Sequence, residues 1–431
     1  MDRLNILVLH RLGNPGAAPN FLPGHIFALK TCLPEHNYIY HDTTLPLPRY
    51  VRDARFDAII LDVTFLCVRW LPALTFDRIK LEYDFVKHSD SVKIAFPQDE
   101  YDCHQLLDLW MCDWRVDVVF SVISSSWDVF YPQFHKRGDI KLAYTGYVDE
   151  ASVDLVSKPF ELRTVDIGYR ARKLPPYFGK IGQTKWTIGR DVERLGNNAG
   201  LHTDIVLGEQ GTLFGSAWLD FIRGCKFTLG ANSGSSLLDP RGDIQRRVRA
   251  FLERHPSATF EEVEAHCFPG LDQQYSFTAI SPRVIEAALL SSCQILVEGE
   301  YSGIVKPWEH YIPIRPDASD FPQVLDAMRD RRLVDRLISN CRETILSTGH
   351  LRYRHHADTV IDLIATHKKR KRVTSNCDLV CKVARRYEEE MPRKYADHWR
   401  RQAVRAKLVG LLDRSPAISG VVRAVWSSVR G

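Results

Sequence analysis

Residues 280–314 read ISPRVIEAALLSSCQILVEGEYSGIVKPWEHYIPI, a helical pattern followed by two short apolar runs. Ser281 before Pro282 is a helix-start signal: the serine oxygen can accept an orphan N–H, and proline lacks the donor that the first helical position leaves unused. The runs QILVEG and HYIPI are too short for helices and read as strands. A helix leading directly into a buried strand is half of a βαβ unit, so the stretch predicts a parallel sheet.

The same alternation extends outward in both directions. Upstream, from Arg163, TVDIGYRA, HTDIVLG and KFTLGAN read as strands and FGSAWLDFIRGC as a helix. Residues 235–277 interrupt the pattern with two helical segments, DIQRRVRAFLERH and FEEVEAHCF, and read as an insertion. Downstream, FPQVLDAMRD, RLVDRLISNCRETIL and HADTVIDLIATH are helices that close the domain. Before residue 150, LNILVLH, NYIY, FDAIILDV, SVKIAF, VDVVFSV and IKLAYTGY form a second strand series, with helical patterns in TFDRIKLEYDFVKHSD and CHQLLDLWMCDW. The fold class is therefore α/β, with two Rossmann-like doubly wound domains, 1–155 and 160–367, facing across a cleft. The polar segment DEASVDLVSKPFELR joins them, and a length of 431 residues suits two such cores.

Composition narrows the function classes. Hydrophobic residues make up 45% and charged ones 26%, the balance of a globular chain rather than a disordered one. No stretch approaches the roughly 18–20 apolar residues that cross a bilayer, and the N-terminus reads as a first strand rather than an export signal. The 10 cysteines are scattered through apolar stretches, as reduced core thiols are, which points to the cytoplasm. Cys377 and Cys381 read as two helix thiols, and no metal site is expected.

In an open α/β sheet, ligands bind beyond the carboxyl ends of the strands. After the first strand, Gly13 and Gly16 permit a tight turn before a helix whose N-terminus attracts anions or hydroxyls, with His10 and His25 nearby. After the fourth, Asp99, Glu100 and Asp102 cluster; Asp99 is the candidate acceptor-side base, and His25 the second catalytic candidate. In the second half, Arg170, Arg172, Lys173 and Lys180 follow a strand end, where cations would neutralise a leaving diphosphate. Ser233–Ser236 offers hydroxyls and backbone N–H groups for phosphate. Arg283 and Glu286 lie in the first turns of the helix after Ser281, where a carboxylate can accept the hydroxyls of a ribose.

These last residues carry a family resemblance. Glu286 with AALLSSCQILVEG resembles the nucleotide-binding helix of group 1 (family 4-like) GT-B glycosyltransferases, and Ser281, Arg283 and Glu286 are similar to the spacing of its divergent bacterial members. The first Glu of the usual pair falls at Thr278. VDVVFSV followed by IKLAYTGYVDE resembles the last first-domain strands and their turn, here Gly146 to Asp149. The resemblance implies a nucleotide-sugar donor held mainly by the second domain, with Arg170 and Lys173 or Lys180 on its diphosphate and Glu286, beside Arg283, on its ribose; Gly13, in the first domain, is the further donor-binding candidate. It further implies a glycan or lipid-linked acceptor on the first domain, no metal and no cofactor besides the donor substrate. It points to cell-surface polysaccharide biosynthesis. A nucleotide-sugar epimerase and a non-catalytic scaffold of a polysaccharide assembly complex are the rival readings.

The net charge of +5 is uneven. Residues 368–431 hold 17 Lys and Arg against 6 Asp and Glu, or +11, leaving −6 for the remainder. This segment, beginning KKRKR, reads as a basic amphipathic helical tail suited to an anionic membrane surface, with no nucleic-acid module beside it.

Overall fold

The computed structural model describes residues 3–13, 21–375 and 377–413. The first lobe is built on one all-parallel sheet of six strands: β1 (Asn5–His10), β2 (Asn37–Asp42), β3 (Ala58–Leu61), β4 (Val92–Ala95), β5 (Val118–Ser121) and β6 (Asp139–Leu142). Their order across the sheet is β2-β1-β3-β4-β5-β6. The second lobe contains β7 (Val165–Ala171), β8 (Thr203–Leu207), β9 (Cys225–Gly230), the antiparallel pair β10 (Ser233–Ser235) and β11 (Phe277–Ala279), then β12 (Cys293–Val297) and β13 (Ile312–Ile314). Its five-stranded sheet is also all parallel, in the order β13-β12-β9-β7-β8. The eleven strands of the two parallel sheets are those expected from the apolar runs; the β10-β11 pair was not among the expectations. β1, β3, β4, β5 and β12 are buried at every position, as parallel strands covered on both faces must be.

In each sheet the first strand lies between the second and the third, so the order of strand addition reverses there and opens a groove at the carboxyl ends of the strands. The helices that matter to the site are α1 (Phe21–Cys32), α2 (His104–Asp113), α3 (Gly179–Asn198), α4 (Ser216–Gly224), α5 (Asp243–Arg254), α6 (Phe260–Cys267), α7 (Pro282–Leu289), α8 (Tyr353–Lys371) and α9 (Cys377–Asp413). Ser281 caps α7, its hydroxyl accepting from Arg283 N at 3.4 Å, with Pro282 at the first position.

Helix α3 was not among the sequence expectations. Gly182, Gly189 and Gly196 lie on its buried side, and a Cβ on Gly189 would come within 2.8 Å of Leu207 and 2.9 Å of Tyr169. Glycine lets this helix approach β7 and β8 closely, at the cost of its helical propensity.

The insertion forms a small core of its own from Leu237, Ile244, Val248, Val263, Cys267 and Phe268. It also clasps the first lobe. Asp239 N donates to Tyr101 O at 2.9 Å, Cys103 N to Asp239 O at 2.7 Å, and Gln105 N to Pro240 O at 3.0 Å. Gln245 Nε2 donates to Asp102 Oδ2 at 3.0 Å. A second junction sets Gly146 against Pro282 and joins the Thr145 hydroxyl to Ile280 O.

The C-terminal part departs from the expected placement: α8, read as closing the second domain, and the following segment, read as a basic amphipathic helical tail, both pack on the first lobe. Ala357, Val360, Ile361 and Ile364 of α8, and Val380, Val383, Tyr387 and Met391 of α9, are buried in the first lobe's core. Two cations of KKRKR neutralise acids at the amino ends of interior strands of the first sheet: Lys368 Nζ lies 2.7 Å from Asp57 Oδ1, before β3, and Lys371 Nζ lies 2.9 Å from Asp117 Oδ2, before β5. The last part of the segment, 414–431, lies outside the described residues. No helix among the described residues is long and apolar enough to cross a membrane.

Met391 is 2% exposed. Met391→Ala is expected to cost about 2–5 kcal/mol in urea unfolding monitored by circular dichroism. A chain ending at residue 375 is expected not to give a cooperative unfolding transition, because the core side chains of α9 are then missing.

Candidate functional site

A cavity of about 500 Å³ lies between the two sets of strand ends. The first lobe contributes Gln98, Asp99 and Tyr101 after β4, Val122 and Ile123 after β5, and Thr145 after β6. The second lobe contributes residues after β7, β8 and β9, the start of α7, and Lys185 of α3. The sequence candidates Asp99, Arg170, Arg283 and Glu286 all line it, together with Arg172 and Ser233.

Glu286 is half-buried in the second turn of α7 and accepts from Trp218 Nε1 at 2.7 Å. Burial pushes its carboxyl above the usual range, opposed by the indole N–H and by the charge of Arg283. Arg283 lies with its Cζ 5.2 Å from the Trp218 ring and donates to Arg170 O. Asp99 sits at φ 50°, a left-handed conformation that a short polar side chain tolerates. Its carboxylate accepts from Tyr101 OH at 2.5 Å, and its carbonyl accepts from buried Arg69 at 3.0 Å.

Other candidates stand differently. Arg170 lines the cavity, but its guanidinium is held by Asp204 at 2.8 Å and lies 4.0 Å over Phe221. Lys173 and Lys180 are exposed and outside the lining, leaning over Trp186 at 5.8 Å and Phe260 at 5.7 Å. Gly13 is also outside it: its N–H donates to Asp42 Oδ2 at 2.9 Å, and a Cβ there would lie 3.4 Å from the Trp399 ring. Gly16 lies outside the described residues. His25 lines a separate cavity of about 20 Å³ that shares Gln98, Val122 and Thr145 with the large one. Its ring packs edge-on to Phe96 at 5.7 Å and stacks at 5.7 Å on His356, and burial lowers its pKa, so it is neutral near pH 7.

One cleft group, Lys185, escaped the sequence reading, and Glu100, read there as part of an acidic cluster, proves to be buried behind the wall. Lys185 donates to Ser233 Oγ at 3.2 Å, and burial together with the charge of Arg283 brings its ammonium down to about 8, against the pull of Asp99. Once Gly179–Asn198 is recognised as a helix, Lys185 falls near its cleft end. Glu100, fully buried behind Val122 and Ile123, accepts from Tyr131 OH at 2.7 Å, Ser121 Oγ at 3.0 Å and Val122 N at 3.0 Å. Burial nevertheless pushes it up to about 7.

No protein-family model and no curated protein matches the chain. Among solved structures, it is similar to Anabaena HepE in complex with UDP-glucose, at 10% identity over 84% of this chain and 100% of that one, with a TM-score of 0.49. It is similar to an α-glucosyltransferase in complex with UDP and a 13-mer DNA, at 10% identity, 84% and 100% coverage and a TM-score of 0.48. AviGT4, a glycosyltransferase involved in avilamycin A biosynthesis, is similar at 11% identity, 84% and 97% coverage and a TM-score of 0.43.

The Glu100 environment has a stability consequence. The folded chain holds this proton up to about pH 7, whereas the unfolded chain releases it near the ordinary value of 4.5. The folded state therefore binds more protons across that window, and this contribution to stability falls as pH rises through it. Glu100→Gln cannot ionise; relative to the native chain it is expected to gain about 1–3 kcal/mol on going from pH 5 to pH 8 in denaturant titrations. Parallel pH profiles for the two proteins would refute the assignment.

Proposed function

We propose that the chain is a glycosyltransferase, with a nucleotide-sugar donor on the second lobe and a glycan or lipid-linked acceptor on the first. The observation that carries the reading is the meeting of Glu286 with Lys185, Arg283 and Arg172 around one cavity between two sets of parallel strand ends. As the bond from the anomeric carbon to the diphosphate oxygen breaks, negative charge builds on the leaving diphosphate. Cations fixed in a partly dry cleft stabilise that charge strongly and need little reorganisation. Glu286 holds the ribose, and Asp99, on the opposite lobe, is the acceptor-side base. Neutral His25 borders the acceptor side through Gln98 and Thr145.

The setting we propose is polysaccharide biosynthesis at the inner face of a bacterial membrane. Lys382, Arg385, Arg393 and Lys394 are exposed on α9 and suit anionic head groups. The second reading, a scaffold that keeps the fold without turnover, is favoured by one feature: Asp204 already occupies Arg170.

Calorimetric titration with UDP, GDP and ADP separates the readings. At least one is expected to bind, and Glu286→Gln is expected to weaken it roughly tenfold to a hundredfold. Failure of all of them would favour the scaffold. Because the Lys185 ammonium loses its proton as pH rises through about 8, affinity is expected to fall between about pH 7 and pH 9. Lys185→Gln is expected to bind more weakly at pH 7 and to lose that alkaline limb.

A further inference from the structure

Beside Glu286 the cleft wall is a ladder of cations and rings. Arg283 lies 5.2 Å from the Trp218 ring centroid, Trp218 and Phe221 stack with centroids 5.6 Å apart and planes 29° from parallel, and Arg170 lies 4.0 Å over Phe221. Asp204 anchors the far end through its 2.8 Å ion pair with Arg170. The indole is thus engaged by a ring and a guanidinium, and stacking of this kind holds its plane in place. Its polar edge donates to Glu286 Oε2 at 2.7 Å, a charge-assisted hydrogen bond inside a half-buried wall.

We infer that Trp218 is a positioning residue that clamps one oxygen of Glu286, so that the carboxylate engages a single ligand hydroxyl through Oε1 instead of gripping a diol with both oxygens. The inference rests on the proposed reading of Glu286 as a ribose-binding group and specifies how that group is presented. A free carboxylate can take both hydroxyls of a ribose, one per oxygen. Here one acceptor site of Oε2 is taken by a donor whose plane is fixed by two neighbours, so a hydroxyl at Oε2 would share that oxygen with the indole, and rotating the carboxylate to free it would leave the indole N–H unpaired. The same N–H favours the ionised carboxylate, which burial disfavours. Trp218 therefore sets both the orientation and the charge of the group that meets the ligand.

The test is calorimetry with UDP, GDP and ADP and their 2′-deoxy and 3′-deoxy forms, on the native chain, Trp218→Phe, Glu286→Gln and the double variant. For the native chain, one deoxy form of the nucleotide that binds is expected to bind within twofold of the parent, and the other about tenfold more weakly. Trp218→Phe retains an aromatic ring and loses the N–H. It is expected to bind about tenfold more weakly than the native chain at pH 7, to narrow that deficit relative to the native chain as pH rises, and to cost nothing further in the Glu286→Gln background. Equal losses for the two deoxy forms would overturn the inference. So would an undiminished effect of Trp218→Phe when Glu286 is already Gln, since that is the signature of a packing role. Should Trp218→Phe fail to fold, the deoxy pair on the native chain decides alone. Native-like binding by Glu286→Gln would remove the ribose reading itself, and the inference with it, an outcome distinct from the failure of the Trp218 arms.

Discussion

Parallel pairing is the constraint from which the site follows. When every strand of a sheet runs the same way, each crossover returns along the opposite end and all the post-strand loops emerge on one side. Two such sheets, of six and five strands, open their carboxyl ends on one gap. Asp99, Val122 and Thr145 reach it from one lobe, and Arg170, Ser233 and Lys185 from the other. The insertion turns this juxtaposition into a fixed geometry. By pairing Asp239 with Asp102 beside the mouth, it holds the turn that carries Asp99 in its left-handed conformation.

Burial at this gap penalises charge of either sign, and the neighbours decide which groups keep it. Arg283 helps Glu286 stay ionised while pushing Lys185 toward neutrality, so one exposed guanidinium biases two partners in opposite senses. Glu100, behind the first-lobe wall, holds its proton up to about pH 7 even with three donors around it. The cleft itself thus contains an amine, Lys185, and a carboxyl, Glu286, each displaced by burial toward its neutral form, an arrangement seen where groups must respond to a bound charge. An anion bound beside Lys185 would restore its proton and tighten its own binding.

The legible parts of the fold were those with local signals. β12 and the capped start of α7 follow from Ser281, Pro282 and a short apolar run, and the placement of Glu286 on the cleft follows from them. Helix α3 was hidden because Gly182, Gly189 and Gly196 take three of its buried positions, residues that locally argue against a helix; at Gly189 the reason is the close approach of Tyr169 and Leu207. With that helix unseen, its phase was unknown, and Lys173 and Lys180 were preferred over Lys185. Long-range neutralisation hid the rest. Lys371 reaches Asp117 across more than half the chain, and Arg170 turns to Asp204 on the neighbouring strand. A charge count along the sequence sees the cations and not their partners.

The position where the resemblance would set a partner carboxylate for Glu286 is Thr278, and its place in the fold bears on why that partner is missing. Thr278 lies in β11, in register with Gly234 of β10. Gly234 sits at φ 151° and so close to β11 that a Cβ would lie 1.8 Å from Phe277 O. This tight pairing carries the insertion out toward the first lobe, and its first residue, Ser233, is the partner of Lys185 Nζ. Position 278 is therefore occupied by the structure that builds the clasp and anchors the buried lysine. With the pair reduced to one member, the orientation of that member matters more, and it is set from the side by the Trp218 indole rather than by a second acid.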